Sequence, residues 1–191
     1  ALQVIARFGF PIHILTKSDL VLRDLDILTE INQVRAVVSF TITTADDELA
    51  LKLEPGAPPS SRRFAAMAAL AARGIGTGVM MMPILPFIED TVENITAIVT
   101  RAADCGATHV VPWFGMTMRD RQRAWFYDRL DELFPGMRER YERAYGERYE
   151  ATSPHVRELG QAFEALRQRL GLATGVRPYE PPATAKQLAM F

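Results

Sequence analysis

The 191 residues are 48% hydrophobic and 24% charged, with a formal net charge of −1, the make-up of a globular domain long enough to bury its own core. Near-neutral charge excludes a globally basic nucleic-acid binder, and no apolar run reaches the roughly 18–20 residues of a membrane span. The single cysteine, Cys105, excludes an internal disulfide and any multi-cysteine metal site within the chain; with no signal-peptide pattern at the start, the expected compartment is the cytoplasm.

In chain order, Leu2 to Phe8 has helical spacing and stops at Gly9. A strand over Ile12–Thr16 follows, then a helix from about Asp19 to Asn32 with Leu20, Leu22, Leu25, Leu28 and Ile31 on its buried side. A second strand covers Ala36–Thr43. A short helix, Asp46–Leu53, ends before the rigid Pro55–Pro59 loop, and Ser60 or Ser61 caps an alanine-rich helix running to Gly74. A third strand is expected over Thr77–Met82, a helix near Thr91–Cys105, and a fourth strand over Thr108–Trp113. Four strands alternate with helices and no hairpin signal separates them, which predicts a parallel βα repeat. From Met116 the character changes to charged helices, Arg119–Leu133 and Met137–Tyr149, then Pro154–Leu170. The predicted organisation is therefore 1–115 as the βα unit, 116–171 as a helical extension and 172–191 as an irregular tail.

The first two strands run out of apolar residues at the same end, in Thr16–Lys17–Ser18 and Ser39–Thr44. Ligands sit at the carboxyl ends of parallel strands, so Lys17 and nearby hydroxyls are candidates for holding a carboxylate or phosphate. Alternation places Ser39, Thr41 and Thr43 on one face of the second strand and Phe40 and Ile42 on the other. Glu54, Arg62 and Arg63 stand close by in sequence, with at least one arginine expected on a solvated face. Glu89–Asp90 read as residues favouring the dipole of the next helix. His13, His109 and His155 have no metal-ligand spacing and are assigned structural roles. No glycine-rich dinucleotide fingerprint, Walker loop or nucleophile elbow is present. Trp113, Phe114, Trp125, Phe126 and Tyr127 alternate with charge at helical spacing, a pattern of core and rim more than of a nucleic-acid platform.

The segments Ile14-Leu-Thr-Lys-Ser-Asp-Leu-Val-Leu-Arg-Asp24, Val38-Ser-Phe-Thr-Ile-Thr-Thr44 and Leu53-Glu-Pro-Gly-Ala-Pro58 resemble the radical AdoMet proteins related to spore photolyase, the "DNA repair photolyase" type. Arg63, Gly74-Ile75 and Pro83-Ile-Leu-Pro86 follow in the family's order. The resemblance implies a partial (β/α)6 TIM-like barrel, of which this chain holds the last four βα units. It also implies S-adenosylmethionine (AdoMet) and a four-iron four-sulfur cluster (4Fe-4S) as cofactors. By motif, Lys17 and Ser39 hold the AdoMet carboxylate, Thr41 lies beside them, and Met81 and Met82 lie against the adenine. The implied chemistry is reductive cleavage of AdoMet to a 5′-deoxyadenosyl radical.

The family's Cys-x3-Cys-x2-Cys motif is absent, as is its glycine-rich element, and a cluster of this kind needs thiolate ligands. The reading is an AdoMet-binding portion of a radical AdoMet enzyme, inactive alone. Its rival is a natural non-catalytic half-barrel that binds an anionic small molecule or serves assembly, and a phosphate-binding βα enzyme of another class has less support. Nucleic acid stays open as a partner without support from charge. A half-barrel would also expose the Ile12–Thr16 edge, or cover it with another copy of itself.

Overall fold

The computed structural model describes residues 1–181; the end of the expected tail, 182–191, lies outside the described residues. Four strands, β1 (Ile12–Thr16), β2 (Ala36–Thr41), β3 (Gly76–Met81) and β4 (His109–Pro112), form one parallel sheet in the order of the chain. The register aligns Leu15 with Ser39, Ser39 with Gly78, and Gly78 with His109. Among the described residues β1 pairs only with β2, so its outer side is a sheet edge. β4 is flanked on its outer side by a single parallel bridge between His109 and Ala173.

α1 (Leu2–Phe8) precedes β1, and between strands run α2 (Leu25–Ile31), α3 (Asp47–Leu53), α4 (Ser60–Ala71) and α5 (Val92–Asp104). The start of the helix expected from Asp19 is a 3-10 segment, Asp19–Asp24, entered through Ser18, whose hydroxyl accepts from Leu20 N at 3.2 Å. Leucines three apart, Leu22 and Leu25, are brought to one side by a three-residue turn as well as by an α-helix. α4 begins after Pro59 and is not capped by a serine. The Ser60 hydroxyl donates to Thr44 O at 2.7 Å, and the carboxylate of Asp47 takes the Ser61 N–H at 2.8 Å. Those two bonds tie α4 to the segment after β2.

One face of the sheet carries Val38, Phe40, Val79, Met81 and Val110 into a core with Leu28, Phe64, Met67, Ile95 and Ile98. Right-handed crossovers between sequential strands place the connecting helices on one side, which explains why the core lies there. The chain then forms β5 (Gly115–Thr117), α6 (Asp120–Leu133), α7 (Met137–Tyr145), β6 (Glu150–Thr152) and α8 (Val156–Arg169). β5 and β6 pair antiparallel, an element the sequence reading lacks because three-residue strands are too short to show a two-residue period. α7 stops at Gly146, short of the expected Tyr149, where the backbone turns at φ 50°. A second core of Met118, Tyr127, Leu130, Tyr141, Tyr145 and Ala151 fills this region. α8 returns to the first core through Leu159, Phe163 and Leu166. No helix among the described residues is long and apolar enough to cross a membrane.

Candidate functional site

At the carboxyl end of β1 and β2 the charges form a chain. The Lys17 ammonium bonds Glu54 Oε1, and Glu54 Oε2 lies 2.6 Å from the Arg63 guanidinium. Arg63 is 1% exposed. It donates to Pro58 O and Thr41 O, each at 2.8 Å, so one side chain of α4 holds the end of β2, the proline loop and Glu54 together. Arg62, one residue earlier, points outward and pairs with Asp19. One arginine is thus solvated, as expected of at least one of them, and the other is built into the mouth of the sheet.

The hydroxyl row behaves differently from its expectation. Ser39 is fully buried, and its hydroxyl lies 2.8 Å from His13 Nε2 and 2.7 Å from His109 Nε2. One ring nitrogen accepts from that hydroxyl and the other donates to it. The Ser39 hydroxyl is thus engaged on both sides below the mouth, and no hydrogen bond among the described residues joins it to Lys17. Thr41, two residues on, is half-buried at the mouth. Met81, expected against a ligand's ring, is 0% exposed inside the helix-side core. The period of a strand sends Met81 to the helices and Met80 to the opposite face. Met82 follows the last paired residue and is half-buried.

His109 reaches Ser39 by lying across β3. A Cβ built on Gly78 would stand 2.3 Å from the His109 ring, so the glycine is the space the imidazole occupies. Burial, and the nearby His13, push the His109 pKa down to about 4, and the ring is neutral at pH 7. His13 is lowered too, by burial and by the charge of Arg35. The Gly76-x-Gly78 pair in a strand was the available signal for this close approach.

Sequence reasoning also missed Glu89. It is 1% exposed, takes the Leu85 N–H on Oε2 at 2.9 Å, and leaves Oε1 without a hydrogen-bond partner. Burial raises its pKa to about 7, bonding to Thr43 and Leu85 N lowers it, and the neighbouring charges of Glu54 and Lys17 act in opposite senses. Asp90 accepts from the Ser153 hydroxyl. The next helix is capped by Thr91, accepting from Asn94 N at 3.1 Å. Asn94 in turn donates to Thr43 O and Glu89 O, at 2.8 and 2.9 Å, knitting the loops after β2 and β3.

These two groups give opposed pH dependences. Glu89 keeps its proton in the folded state between pH 4.5 and about 7, where the unfolded carboxyl has lost it, so stability falls as pH rises through that window. His109 stays neutral in the folded state from pH 6.5 down to about 4, where the unfolded ring is charged, so stability falls as pH drops through that range. Glu89→Gln should therefore raise stability by up to about 3 kcal/mol at pH 8 and leave it unchanged at pH 4. Urea unfolding at the two pH values measures this; an equal effect at both refutes the assignment.

Cys105 closes α5 and precedes β4, at the amino end of the sheet, away from the mouth. Burial raises its thiol pKa. Among the described residues no group of three His, Cys, Asp or Glu side chains is placed to hold a metal ion. The residues of this chain do not fit an iron–sulfur cluster.

No family model matches the chain. An uncharacterized protein of Mycobacterium tuberculosis is 33% identical over 183 residues, 95% of this chain and 53% of that protein; one of Mycobacterium bovis matches equally. An uncharacterized protein of Acidianus two-tailed virus is 32% identical over 116 residues, 59% of this chain and 37% of its own. The chain spans about half the length of the mycobacterial relatives it matches. Among solved structures, spore photoproduct lyase complexed with dinucleoside spore photoproduct superposes with a TM-score of 0.65 at 16% identity, over 90% of this chain and 54% of that one. A mutant of the same lyase with bound AdoMet and dinucleoside spore photoproduct gives 0.66 at 16%, with the same coverage. Over nine-tenths of its length the chain thus has the fold of about half of spore photoproduct lyase.

Proposed function

We propose that this chain is the AdoMet-binding portion of a radical AdoMet protein related to spore photoproduct lyase. The observation that carries the reading is the Lys17–Glu54–Arg63 chain at the carboxyl ends of β1 and β2, in a fold whose solved neighbour has AdoMet bound. Lys17 is the group offered to the AdoMet carboxylate. Its side chain is 44% exposed, so a ligand reaches it without the core opening. Thr41 ends the neighbouring strand β2, and Leu15, exposed on β1, gives apolar surface for the rest of the molecule.

The iron–sulfur half of the family's chemistry has no place among these residues. Cys105 is the sole cysteine of the 191, and a single thiol at the wrong end of the sheet cannot replace three. In this proposal the thiolates come from residues outside the chain, and the chain alone binds without reacting. DNA or another nucleic acid as substrate belongs to the same proposal and rests on the neighbour's fold alone.

Binding tests it. The isolated chain should bind AdoMet in equilibrium dialysis, and Lys17→Ala should weaken binding by about 1–3 kcal/mol, as expected for a lost bond to a charged group. Because the Lys17 side chain is solvent-accessible, the variant should fold as the unaltered chain does. Equal affinity in both proteins would remove Lys17 from the site.

A further inference from the structure

We propose that the cavity at the amino end of the sheet, opposite the Lys17 mouth, is a second ligand site, which takes the phosphoryl group of a small phosphate monoester between Arg35 and Arg177. The proposal does not depend on the AdoMet reading, and its failure would leave that reading standing.

The cavity has a volume of about 580 Å³, within the roughly 300–1,000 Å³ of small-molecule sites. Its walls are the residues that enter three strands: Arg35 before β2, Gly74 before β3, and Thr108 and His109 at the start of β4. The segment after α8 closes it from another side. Ala173 N donates to Thr108 O at 3.0 Å and Val110 N donates to Ala173 O at 2.9 Å, which fixes this segment to β4. Arg35 Nη1 donates to Pro178 O at 2.8 Å, which fixes it again beside β2. Gly175 and Arg177 line the cavity between those two anchors. Side chains are missing where a ligand needs room: a Cβ built on Gly175 would meet nothing within 4 Å.

Charge selects the ligand. Two guanidiniums line the cavity and no carboxylate does. The ion pairs among the described residues all lie elsewhere, so neither Arg35 nor Arg177 is neutralised by an acid. Arg35 uses one donor on Pro178 O and keeps the others for a ligand. With His109 neutral at pH 7, the two arginines give the lining a charge of +2. A phosphate monoester carries nearly two negative charges at that pH, and each planar guanidinium fork matches two of its oxygens. A single carboxylate would leave one guanidinium without a counter-charge. The floor of the cavity is His109, whose Nε2 is bound to Ser39 Oγ and through it to His13, so occupancy is felt at a ring that can be observed directly.

Titration of the chain with inorganic phosphate, followed through the imidazole proton resonances of its three histidines, tests the site. Phosphate should bind saturably and about tenfold or more tighter than acetate, the gain expected of a second guanidinium. At saturation the His109 resonance should have moved, and that of His155, at the start of α8, should not. Arg177→Ala should weaken phosphate by about fivefold or more. Arg177 is exposed, so this variant should fold as the unaltered chain does. Arg35→Ala should weaken phosphate as well, and a thermal melt shows whether loss of its bond to Pro178 O has cost stability too. Absence of saturable binding overturns the site. Binding that leaves His109 unmoved, or that Arg177→Ala does not weaken, places phosphate elsewhere and overturns it equally. Acetate bound as tightly as phosphate overturns the choice of a phosphoryl ligand.

Discussion

Gly78→Ala should destabilise the protein by about 3 kcal/mol, near the upper end of the range for overpacked sites, although it adds one methyl group. The added carbon would stand 2.3 Å from the His109 ring, far inside contact distance. The ring cannot retreat without breaking its bond to Ser39 Oγ at 2.7 Å, and Ser39 is fully buried, so the hydroxyl loses a partner where no water replaces it. The urea midpoint should fall with little change in slope. A double-mutant cycle sharpens the test. Once His109→Ala has vacated the space over β3, adding Gly78→Ala should cost less than about 0.5 kcal/mol. Additive losses would mean that the glycine is needed for something other than the imidazole.

Arg63→Ala should cost about 3 kcal/mol or more, the scale for removing one partner of a buried charge pair. The guanidinium serves Pro58 O, Thr41 O and Glu54 from a position 1% exposed. Its removal orphans two carbonyls and leaves a carboxylate with only the exposed Lys17. Arg63→Lys should not restore stability, because a single ammonium cannot reproduce the planar fork that reaches three acceptors. Lys17→Ala gives the contrast: its pair with Glu54 is solvent-exposed, and its loss should cost less than about 1 kcal/mol of stability. Thermal melts of the three variants measure the difference. Equal losses for Arg63→Ala and Lys17→Ala would show that the network is a surface feature and not the frame of the mouth.

The parallel βα order was legible because apolar stretches such as Ala36–Val38 carry a buried-strand signal, and Gly9 and Gly74, both at positive φ, mark the ends of helices. The β5–β6 pair was not legible, since Gly115–Thr117 and Glu150–Thr152 are short and meet only in three dimensions. At the site, Lys17 was visible as a cation at a strand end, and Glu54 and Arg63 as neighbours in sequence. Their connection was not visible, because it depends on α4 turning Arg63 inward and Arg62 outward, a difference of one residue on the helix. Ser39 was read as facing a ligand, and it faces two histidines instead. Their partnership spans 26 and 70 residues, beyond the reach of spacing arguments. Met81 was placed against the adenine by the family resemblance, whereas strict alternation along β3 puts it in the core and leaves Met80 on the open face.

A crystal structure of the chain grown with AdoMet bears most directly on the mouth of the sheet as the AdoMet site. The ligand's carboxylate should lie within hydrogen-bond distance of Lys17 Nζ, with Arg63 unmoved. AdoMet bound elsewhere on the chain, with the Lys17–Glu54 pair intact, would contradict it.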